Sequence, residues 1–524
     1  MKPPDASLGF QFGLELFQRD RLAEAETVFL DVLRMQPSHF EALYLLGVIA
    51  VRSGRLEPAA ELFRRAVAVN PGHAELRSNL GYVLEALGRL TEALPHYERA
   101  VALEPGNADA QYNRGNVLGK LERHAEAVPC YDRAIAARPG FALAYYNRGN
   151  SLRDLGQWEA ALASFDQAIA LAPGVADAHN NRGNTLRDLG RDAESVLSFD
   201  AAIGLDPDDP EPYWNRSLSL LAMGDYERGW EAYERRWKSR NARARGGLPG
   251  APWLGETPLD GRTIVVHAEQ GLGDTLQFCR YAPMLGERAT VVLDVPRPLV
   301  RLLSGLRGVA SVVATGDALP AFDAWIPMMS LPLAFHTTVA TIPASIPYLH
   351  ADPEQVDVWR QRLSGFTGRK IGLVWSGSPR PGQPDAHAID RRRSITLEHY
   401  APLAGIPGLC LISLQKGEGA ARAKTPPAGM VLHDWTEELD DFADTAALIE
   451  ALDLVISVDT SVVHLAGALG KPVWVLNRFD QCWRWLRGRA DSPWYPTARL
   501  FHQRAPGEWA EVIREVAGAL LAGE

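Results

Sequence analysis

Two short segments in the second half of the sequence combine side chains that could bind a phosphorylated ligand or move a proton. In the first, LVISVDTSVVHLAGALGKPVWVL, an apolar run ends at Val458, and Asp459, Thr460 and Ser461 then begin a predicted helix. Hydroxyls and exposed backbone N–H groups at a helix start are suited to a diphosphate. His464 falls one turn into this helix, and the alternative for it is a purely structural role.

The second segment, HAEQGLGDTLQF, is a glycine-rich turn that leads from a predicted strand into a predicted helix. Gly271 and Gly273 allow close backbone approach, and Asp274 opens the helix. The N–H groups at this helix start could face an anion or a hydroxyl, and a positioned carboxylate could accept a proton. The turn matches neither GxGxxG nor a Walker loop, and Asp274 could be only a helix cap.

The elements that must position these residues are predicted from a change of pattern after Arg262. Short apolar runs alternate there with amphipathic segments, which is typical of parallel sheet built from βαβ units. The predicted strands form two groups, separated by a proline-rich passage at residues 341–353: Thr263–His267, Thr290–Leu293, Ser311–Val313 and Ala324–Pro327, then Lys370–Trp375, Cys410–Gln415, Met430–His433, Leu454–Val458 and Val473–Leu476. Two groups predict two Rossmann-like domains across a cleft, with the chemistry just past the carboxyl ends of strands.

The first half of the sequence repeats itself every 34 residues. The recurring positions hold a glycine, a proline and an aromatic residue: Gly13, Gly47, Gly81, Gly115, Gly149 and Gly183 with Ser217 next; Pro37, Pro71, Pro105, Pro139, Pro173 and Pro207; Phe29, Phe63, Tyr97, Tyr131, Phe165, Phe199 and Tyr233. This is the tetratricopeptide (TPR) pattern of one helix–turn–helix per unit. The aromatic residue fills the gap between units, and the proline ends the second helix. We predict about seven such repeats.

Asparagines recur in the same register and share one helical face, because their two positions are three residues apart. They are Asn79, Asn113, Asn147, Asn181 and Asn215 at one position and Asn116, Asn150 and Asn184 at the other. Amides offer both donors and acceptors, so the ladder could hold the backbone of a peptide or protein segment in the concave TPR groove. A similar ladder in the eukaryotic O-GlcNAc transferases holds substrate polypeptide.

Two alternatives apply to the asparagines: they satisfy neighbouring turns, or a recent duplication copied the sequence NRGN. The arginines inside the ladder, Arg114, Arg148 and Arg182, are predicted to form ion pairs between repeats.

Charge and cysteine content exclude several partners. The formal net charge of the 524 residues is −10, so we expect no nucleic-acid partner. The four cysteines (Cys130, Cys279, Cys410 and Cys482) form no CxxC pair, which fits a reducing compartment and predicts no metal site. We find neither a secretory signal nor an apolar stretch of membrane-spanning length, and therefore expect a cytoplasmic protein, with peripheral membrane contact left open.

The two segments together resemble the family 9 glycosyltransferases, whose best-known members are the lipopolysaccharide heptosyltransferases of GT-B fold. Their motif D-[TS]-[GS]-x-x-H-L-A-x-A-L-G-K-P, which binds the nucleotide diphosphate of the donor, matches Asp459, Thr460, Ser461, His464 and the residues up to Pro472. Ser461 stands where glycine is commoner. The family's G-D turn, with the aspartate proposed as general base, matches Gly273 and Asp274.

The resemblance also implies a basic segment that neutralises the leaving phosphate, and IGLVWSGSP…DRRRSIT fits it. Its candidates are Arg391, Arg392 and Arg393, with Ser376 and Gly377 in the loop. The resemblance spans about residues 262–500. A segment rich in Trp and Arg (Trp483, Arg484, Trp485, Trp494 and Tyr495) is suited to stacking on a base or sugar, and a core role is the alternative.

We therefore predict an α+α/β multidomain protein with a GT-B-like second half. Residues 1–239 form a TPR superhelix, 240–261 a linker with a basic cluster at Lys238, Arg240, Arg243 and Arg245, 262–350 a short acceptor-side domain, and 351–524 the donor-side domain. The acceptor side is shorter than in the heptosyltransferases, so an acceptor could instead arrive along the repeat groove.

The expected function is glycosyl transfer from a nucleotide diphosphate sugar to a protein or cell-envelope acceptor. Asp274 would act as base, with no metal and no cofactor beyond the donor substrate. The main alternative is a non-catalytic TPR scaffold with a degenerate nucleotide-sugar-binding region. A third reading is an epimerase-like enzyme, which would release free nucleotide without an acceptor.

Overall fold

A computed structural model describes residues 6–238, 248–380 and 382–524 of the chain. These residues fall into two compact units, 1–185 and 186–524. Residues 240–247 of the predicted linker, with Arg240, Arg243 and Arg245, lie outside the described residues. Lys238 ends a 3₁₀ helix at Glu234–Lys238.

The repeat region is a series of helix pairs, which confirms the predicted TPR architecture. Most of its helices contain 13 or 14 residues, and each pair recurs after 34 residues. The helices are α1 (Ala6–Gln18), α2 (Leu22–Met35), α3 (Phe40–Arg52), α4 (Leu56–Val69), α5 (Ala74–Ala86), α6 (Leu90–Leu103), α7 (Ala108–Lys120), α8 (His124–Ala137), α9 (Ala142–Asp154), α10 (Trp158–Leu171), α11 (Ala176–Asp188), α12 (Asp192–Leu205), α13 (Pro210–Ala222) and α14 (Tyr226–Tyr233).

The recurring glycine is needed because a side chain at this position would clash with the recurring aromatic ring. In the fourth repeat, a Cβ added to Gly115 would lie 2.7 Å from Cε1 of Tyr131, a side chain that is only 2% exposed. Tyr131 is also fixed at its other end, since its hydroxyl donates to Asn116 Oδ1 at 3.0 Å. The helices of each pair can therefore pack closely only while this position lacks a side chain.

The predicted ion pairs between repeats are confirmed. Each ladder arginine contacts an acidic residue 16 positions earlier, on the second helix of the preceding repeat: Arg114 with Glu98 at 3.8 Å, Arg148 with Asp132 at 2.7 Å and Arg182 with Asp166 at 2.6 Å. Arg216 and Asp200 form the same pair at 2.8 Å in the second unit. Pairs as exposed as these each contribute little to stability.

The second unit contains two parallel sheets, as the pattern after residue 262 predicted. The first has the order β3-β2-β1-β4 and the second β10-β9-β8-β5-β6-β7. Their strands are β1 (Thr263–His267), β2 (Thr290–Val295), β3 (Val309–Ala314), β4 (Ala324–Pro327), β5 (Arg369–Val374), β6 (Leu409–Ser413), β7 (Leu432–Asp434), β8 (Leu454–Val458), β9 (Val473–Asn477) and β10 (Ala498–His502).

The helices of these sheets follow the strands in the usual alternation. They are α15 (Leu272–Phe278), α16 (Ala282–Gly286), α17 (Val300–Leu303), α18 (Leu331–Ala334), α19 (Pro353–Leu363), α20 (Pro384–Arg393), α21 (Phe442–Glu450), α22 (Ser461–Ala468) and α23 (Trp509–Leu521). Strand β10 was not predicted, because ARLFH carries Arg and His in a short edge strand and so lacks the apolar run of the others.

Helices α12 to α14 keep the repeat period but belong to the same compact unit as the sheets. One continuous core contains Tyr226 and Trp230 of α14 together with apolar residues of both sheets. The indole Nε1 of Trp230 donates to the carbonyl of Thr337 at 3.2 Å. The last repeat helices are therefore packed into the α/β region by the same apolar burial that holds the sheets together.

We predict that Gly115→Ala destabilises the first unit despite the better helix propensity of alanine. The propensity gain is at most about 1 kcal/mol, whereas forcing a methyl group against a fixed buried ring costs about 1–3 kcal/mol. Urea unfolding of the full chain followed by far-UV circular dichroism measures the loss. Gly140→Ala is the matched control, because an added Cβ there meets nothing within 4 Å. Equal stability of the two variants would contradict the packing role of Gly115.

Candidate functional site

A cavity of about 820 Å³ lies where loops from the two sheets meet. Loops that follow four strands line it: residues 271–274 after β1, 376–380 after β5, 414–418 around the end of β6, and 459–464 after β8. In each sheet the strand order reverses beside one of these loops, between β1 and β4 and between β5 and β8. Carboxyl ends of parallel strands at such reversals are the common ligand sites of α/β proteins.

The cavity brings together most of the residues that the sequence singled out. Those that line it are Gly271, Gly273, Asp274, Ser376, Gly377, Arg393, Asp459, Thr460, Ser461 and His464. The loop at Asp274 and the helix start at Asp459 therefore face one space. Of the three candidate arginines, one lines this space.

Asp274 is held at both carboxylate oxygens. Oδ2 accepts the backbone N–H of Gly271 at 2.9 Å, which closes the first turn of α15, and Oδ1 accepts from Nη2 of Arg484. The first bond takes up the N–H of Gly271, so the expectation that the other N–H groups at this helix start face an anion or a hydroxyl stays a prediction. Asp274 caps the helix from its third position and also pairs with Arg484.

The two helices at the cavity meet through a glycine. A Cβ on Gly273 would lie 2.8 Å from Cδ2 of His464, so the backbone of α15 rests directly on the imidazole of α22. The ring is fixed by Tyr495, whose hydroxyl is 3.1 Å from Nδ1, and by Trp485, which it stacks at 5.6 Å between centroids. This contact sets the distance between the two halves of the site.

Electrostatics keep His464 neutral. Burial, followed by the charge of Arg484 and partly opposed by Asp274, lowers the pKa of His464 to about 3, with Arg280 and Arg393 acting in the same direction. The positive charge of these arginines, which adds to the effect of burial on the imidazole, also favours an anion near His464. Elsewhere the lining is mixed and includes Asp440, Asp441 and Glu418.

The start of α22 is open to a ligand. Its N-cap, Thr460, makes no side-chain capping bond; the hydroxyl lies 3.1 Å from Oγ of Ser457 instead. The side chains of Ser461 and Val462 line the cavity beside it. A helix that begins without a side-chain cap leaves its first N–H groups for an external acceptor.

Gln415 fixes the loop after β5, although the sequence analysis gave it no role. Its Oε1 accepts the N–H groups of Trp375 and Ser376 at 2.9 and 2.8 Å, and Nε2 donates to the carbonyls of Ser376 and Lys416 at 3.0 and 2.8 Å. Ser376 Oγ is buried and has no hydrogen-bond partner among the described residues. Gly377 leaves room for the guanidinium of Arg393.

The three candidate arginines have different surroundings in the structure. Arg393 lines the cavity, donates to Oδ1 of Asp390 at 2.8 Å and to the carbonyl of Asp459 at 3.0 Å, and so links α20 to the start of α22. Arg392 instead donates to Asp480 at 3.0 Å. Arg391 is exposed and lies outside the lining formed by the described residues.

The hypothesis that aromatic rings near residue 485 stack on a base or sugar is wrong, because these rings are buried. Trp483, Trp485, Trp494 and Tyr495 are at most 7% exposed and belong to the core. Nε1 of Trp494 donates to the hydroxyl of Tyr226, on the last repeat helix, at 3.1 Å. The core alternative therefore holds for them.

The asparagine ladder forms hydrogen bonds between neighbouring repeats. Nδ2 of Asn147 donates to Tyr112 and to Asn116, and Nδ2 of Asn181 makes the same pair of bonds to Tyr146 and Asn150, all at 2.9–3.0 Å. Asn79 donates likewise to Tyr44 at 3.0 Å. These donors serve the packing of repeats, so a peptide backbone would have to be read by other atoms of the ladder.

The remaining ladder positions differ. Asn215, in the second unit, accepts from Arg187 at 3.4 Å, and Asn184 is buried with Oδ1 unpartnered among the described residues. The side chain of Asn113 is half-buried on its helix. The role of the ladder in peptide binding stays a prediction.

Sequence reasoning gave Gln415 no role and named Arg484 only for stacking on a base or sugar, so it missed the pairing of Arg484 with Asp274. The rule that placed Asp459 beyond a strand end applies equally to Gln415 and Lys416, which follow β6. Arg484 offered no such signal, since it lies 210 residues from the carboxylate that it contacts.

The described residues were also examined for a metal site and for a membrane-spanning helix. No group of three or more His, Cys, Asp or Glu side chains is placed to hold a metal ion in this part of the chain. Nor does any helix within it reach the length and apolarity needed to cross a bilayer.

Comparison with known families identifies two parts of the chain. The tetratricopeptide repeat model matches at residues 10–74, 50–108, 78–142, 112–155 and 146–210. The model of glycosyltransferase family 9 (heptosyltransferase) matches residues 439–477, which contain α21, β8, α22 and β9.

A curated relative and several solved structures are also similar. Protein FlbA of Caulobacter vibrioides is 30% identical over 327 residues, 57% of this chain and 53% of FlbA, so the chain spans about half the length of this relative. YrrB, a TPR protein with an unusual peptide-binding site, is 24% identical (TM-score 0.34, 36% of this chain and 98% of YrrB). PilF of Pseudomonas aeruginosa is 19% identical (TM-score 0.34, 40% and 94%).

The chain thus carries tetratricopeptide repeats in its N-terminal part and, near its C-terminus, a segment that matches the model of glycosyltransferase family 9 and contributes residues to the lining of the cavity.

Proposed function

We propose that the chain is a glycosyltransferase that moves a sugar from a nucleotide diphosphate sugar to an acceptor hydroxyl. The observation that supports this most is the shared cavity: the family 9 segment at Asp459–His464 and the carboxylate of Asp274 line one space of about 820 Å³. That volume is within the range of pockets that bind ligands of this size.

In this proposal the diphosphate binds at the start of α22. The uncapped N–H groups, the hydroxyl of Ser461 and the guanidinium of Arg393 supply donors, while Gly377 keeps the loop close to them. The positive charge of Arg280, which is buried and acts on His464, is already in place before the ligand arrives, whereas the charge of Arg484 is offset by Asp274.

Asp274 would act as general base. The acceptor oxygen forms a bond to the anomeric carbon as the bond from that carbon to the phosphate oxygen breaks, and the acceptor proton passes to the carboxylate. The departing diphosphate takes the electron pair, and the positive end of α22 with Arg393 stabilises it. We propose that no metal takes part and that the two sheets form a GT-B arrangement.

The acceptor is proposed to be a protein segment or a cell-envelope glycan, with the TPR repeats binding a peptide or protein. A peripheral membrane contact would fit the second kind of acceptor. A cytoplasmic location, favoured by four unpaired cysteines, is part of the same proposal.

One observation favours the second candidate, a non-catalytic repeat scaffold that binds a nucleotide sugar. Both oxygens of Asp274 already accept hydrogen bonds within the protein, as they would if the carboxylate were purely structural. The two candidates differ in turnover, because a scaffold would bind the donor without releasing nucleoside diphosphate.

Asp274→Asn is expected to lower kcat by on the order of 10²–10⁴-fold, since the amide cannot accept the proton. Release of nucleoside diphosphate is measured with UDP-, ADP-, GDP- and dTDP-sugars and peptide or cell-envelope acceptors, and donor binding by thermal shift. The affinity for the donor should stay within about threefold. Asp260→Asn, at an exposed position outside the cavity lining, is the control. Full activity of the Asp274 variant would remove this residue from the mechanism.

Arg393→Met and Arg391→Met form a matched pair from one helix. Losing the cavity guanidinium should weaken nucleoside diphosphate binding by about 10–100-fold, the value of one or two charge-assisted hydrogen bonds. The exposed Arg391 should be replaceable without effect. Isothermal titration with the free nucleoside diphosphate measures both. Similar losses in the two variants would point to general charge attraction instead of a specific contact.

His464→Gln should flatten the pH dependence of stability. The folded protein keeps this imidazole neutral down to pH about 3, whereas the unfolded chain protonates it near its ordinary pKa of 6.5. Wild type therefore loses stability as the pH falls from 6.5 towards 3, by on the order of a few kcal/mol more than the variant. Urea unfolding at several pH values measures this, with the exposed His350→Gln as control. Parallel curves for wild type and His464→Gln would show that folding does not change the pKa of His464.

A further inference from the structure

The loop between β9 and β10 joins the cavity to the last repeat helices. We name residues 480–487 the bridging loop. Trp483–Trp485 form a single 3₁₀ turn within it, and Nε2 of Gln481 donates to the carbonyl of Leu486 at 2.5 Å across the turn. Leu486 has a positive φ of 52°, a strained value for a branched side chain that the surrounding contacts must hold.

At its centre the bridging loop delivers Arg484 to Asp274. Arg484 is 9% exposed as a residue; its Nη2 donates to Oδ1 of Asp274, its Nη1 donates to Sγ of Cys482 at 3.1 Å, and the guanidinium packs over the ring of Trp483 at 4.4 Å. A buried charge so enclosed has few alternative positions, because leaving its carboxylate would cost several kcal/mol. The pair therefore limits the rotation of the Asp274 carboxylate.

The other end of the bridging loop is held by the repeats. Nε of Arg487 donates to Oδ2 of Asp192 at 2.7 Å and Nη2 to the carbonyl of Arg187 at 3.1 Å, while its backbone N–H donates to the carbonyl of Ala222 at 3.1 Å. These contacts span α11, α12 and α13 within the second unit. The carboxylate of Asp192 is almost fully buried, so this is an internal ion pair and not a surface one.

The aromatic residues of the loop connect the same two regions. The ring of Trp483 packs edge-on against Trp230 of α14 at 5.3 Å, and that of Trp485 stacks on His464 of the cavity. The turn that carries Asp274 is also held from the repeat side, since Nε2 of Gln270 donates to the hydroxyl of Tyr233 at 2.8 Å.

We infer that Arg484 is a positioning residue for Asp274, and that the last repeat helices hold it in place through Arg487 and Asp192. This inference rests on the proposed function, since it assigns Arg484 a role in the same transfer. The repeats would then be required for chemistry as well as for binding a partner.

The geometry explains how a carboxylate with two internal hydrogen bonds can still accept a proton. A carboxylate offers about four acceptor positions, and Arg484 and the Gly271 N–H occupy one on each oxygen. One position per oxygen is left, and its direction is fixed by the two bonds already made. A base held in this way needs no reorientation when the acceptor hydroxyl arrives.

The first test replaces Arg484 in the full-length chain. Arg484→Met should lower kcat on the order of 10²-fold with the affinity for the donor changed by less than about threefold, and Arg484→Lys should recover at least tenfold of the loss. Arg489→Met is the matched control, because Arg489 pairs with its exposed neighbour Asp491. A loss of donor affinity instead of kcat, or unchanged kcat, would overturn the positioning role. Melting temperatures within a few degrees of wild type show that the variants fold.

The second test asks whether the repeats act through the same residue. Arg487→Met and Asp192→Asn should each lower kcat at unchanged donor affinity, and Arg484→Met combined with Arg487→Met should lose little more than Arg484→Met alone. If the fold losses in kcat of the two single variants multiplied in the double variant, the repeats would act independently of Arg484, and the inference would be overturned.

Turnover by the wild-type protein distinguishes failure of the proposed function from failure of this inference alone. Wild type without turnover on any donor refutes the proposed function and this inference with it. Wild type that turns over, loses activity in Asp274→Asn and keeps it in Arg484→Met refutes the inference alone.

Discussion

The site depends on one contact, between the backbone of Gly273 and the imidazole of His464. A side chain at position 273 would meet that ring at 2.8 Å, and α15 would have to move away from α22. Asp274 would then lose Arg484, and the loops from the two sheets would no longer enclose one cavity. His464 can serve as this contact surface because it is neutral and fixed between Tyr495 and Trp485. The glycine of a G-D turn is thus needed for what it packs against, in addition to the turn itself.

Three arginines supply positive charge around this contact: Arg280 and Arg484 are buried, Arg393 is partly exposed, and each is held by partners within the protein. Arg280 donates to the carbonyls of Gln277, Pro343 and Trp494 and to the hydroxyl of Tyr348. Arg393 shares Asp390, and Arg484 shares Asp274. A buried cation without such partners would be too costly to keep, but satisfied cations give a potential that need not be rebuilt when an anion binds. Burial, with the charge of these arginines acting in the same direction, lowers the pKa of the histidine among them and keeps it uncharged.

Local patterns in the sequence predicted the fold well, and the site in part. An apolar run followed by Asp459, Thr460 and Ser461 is a local signal, because strand, strand end and helix start are consecutive in the chain. The 34-residue period is equally local, and it predicted an ion pair between repeats for Arg148, whose partner in the structure is Asp132. The pairing of Arg484 with Asp274 joins residues 210 positions apart, and no spacing encodes it. Burial of the tryptophans near residue 485 was undecided for the same reason: their neighbours, such as Tyr226 and Trp230, come from the repeats.

Departures from the repeat pattern do indicate where the repeat helices pack against the α/β region. At the position of Trp230, the preceding repeats have the smaller Leu94, Val128, Leu162 and Val196, and only the tryptophan reaches Thr337 and Trp483. Asp192 occupies the position of Leu90, His124, Trp158 and Tyr226, where it is buried and pairs with Arg487. A buried carboxylate in a packing position costs stability unless a cation meets it. The aspartate therefore marks a repeat that packs against the bridging loop as well as against other repeats.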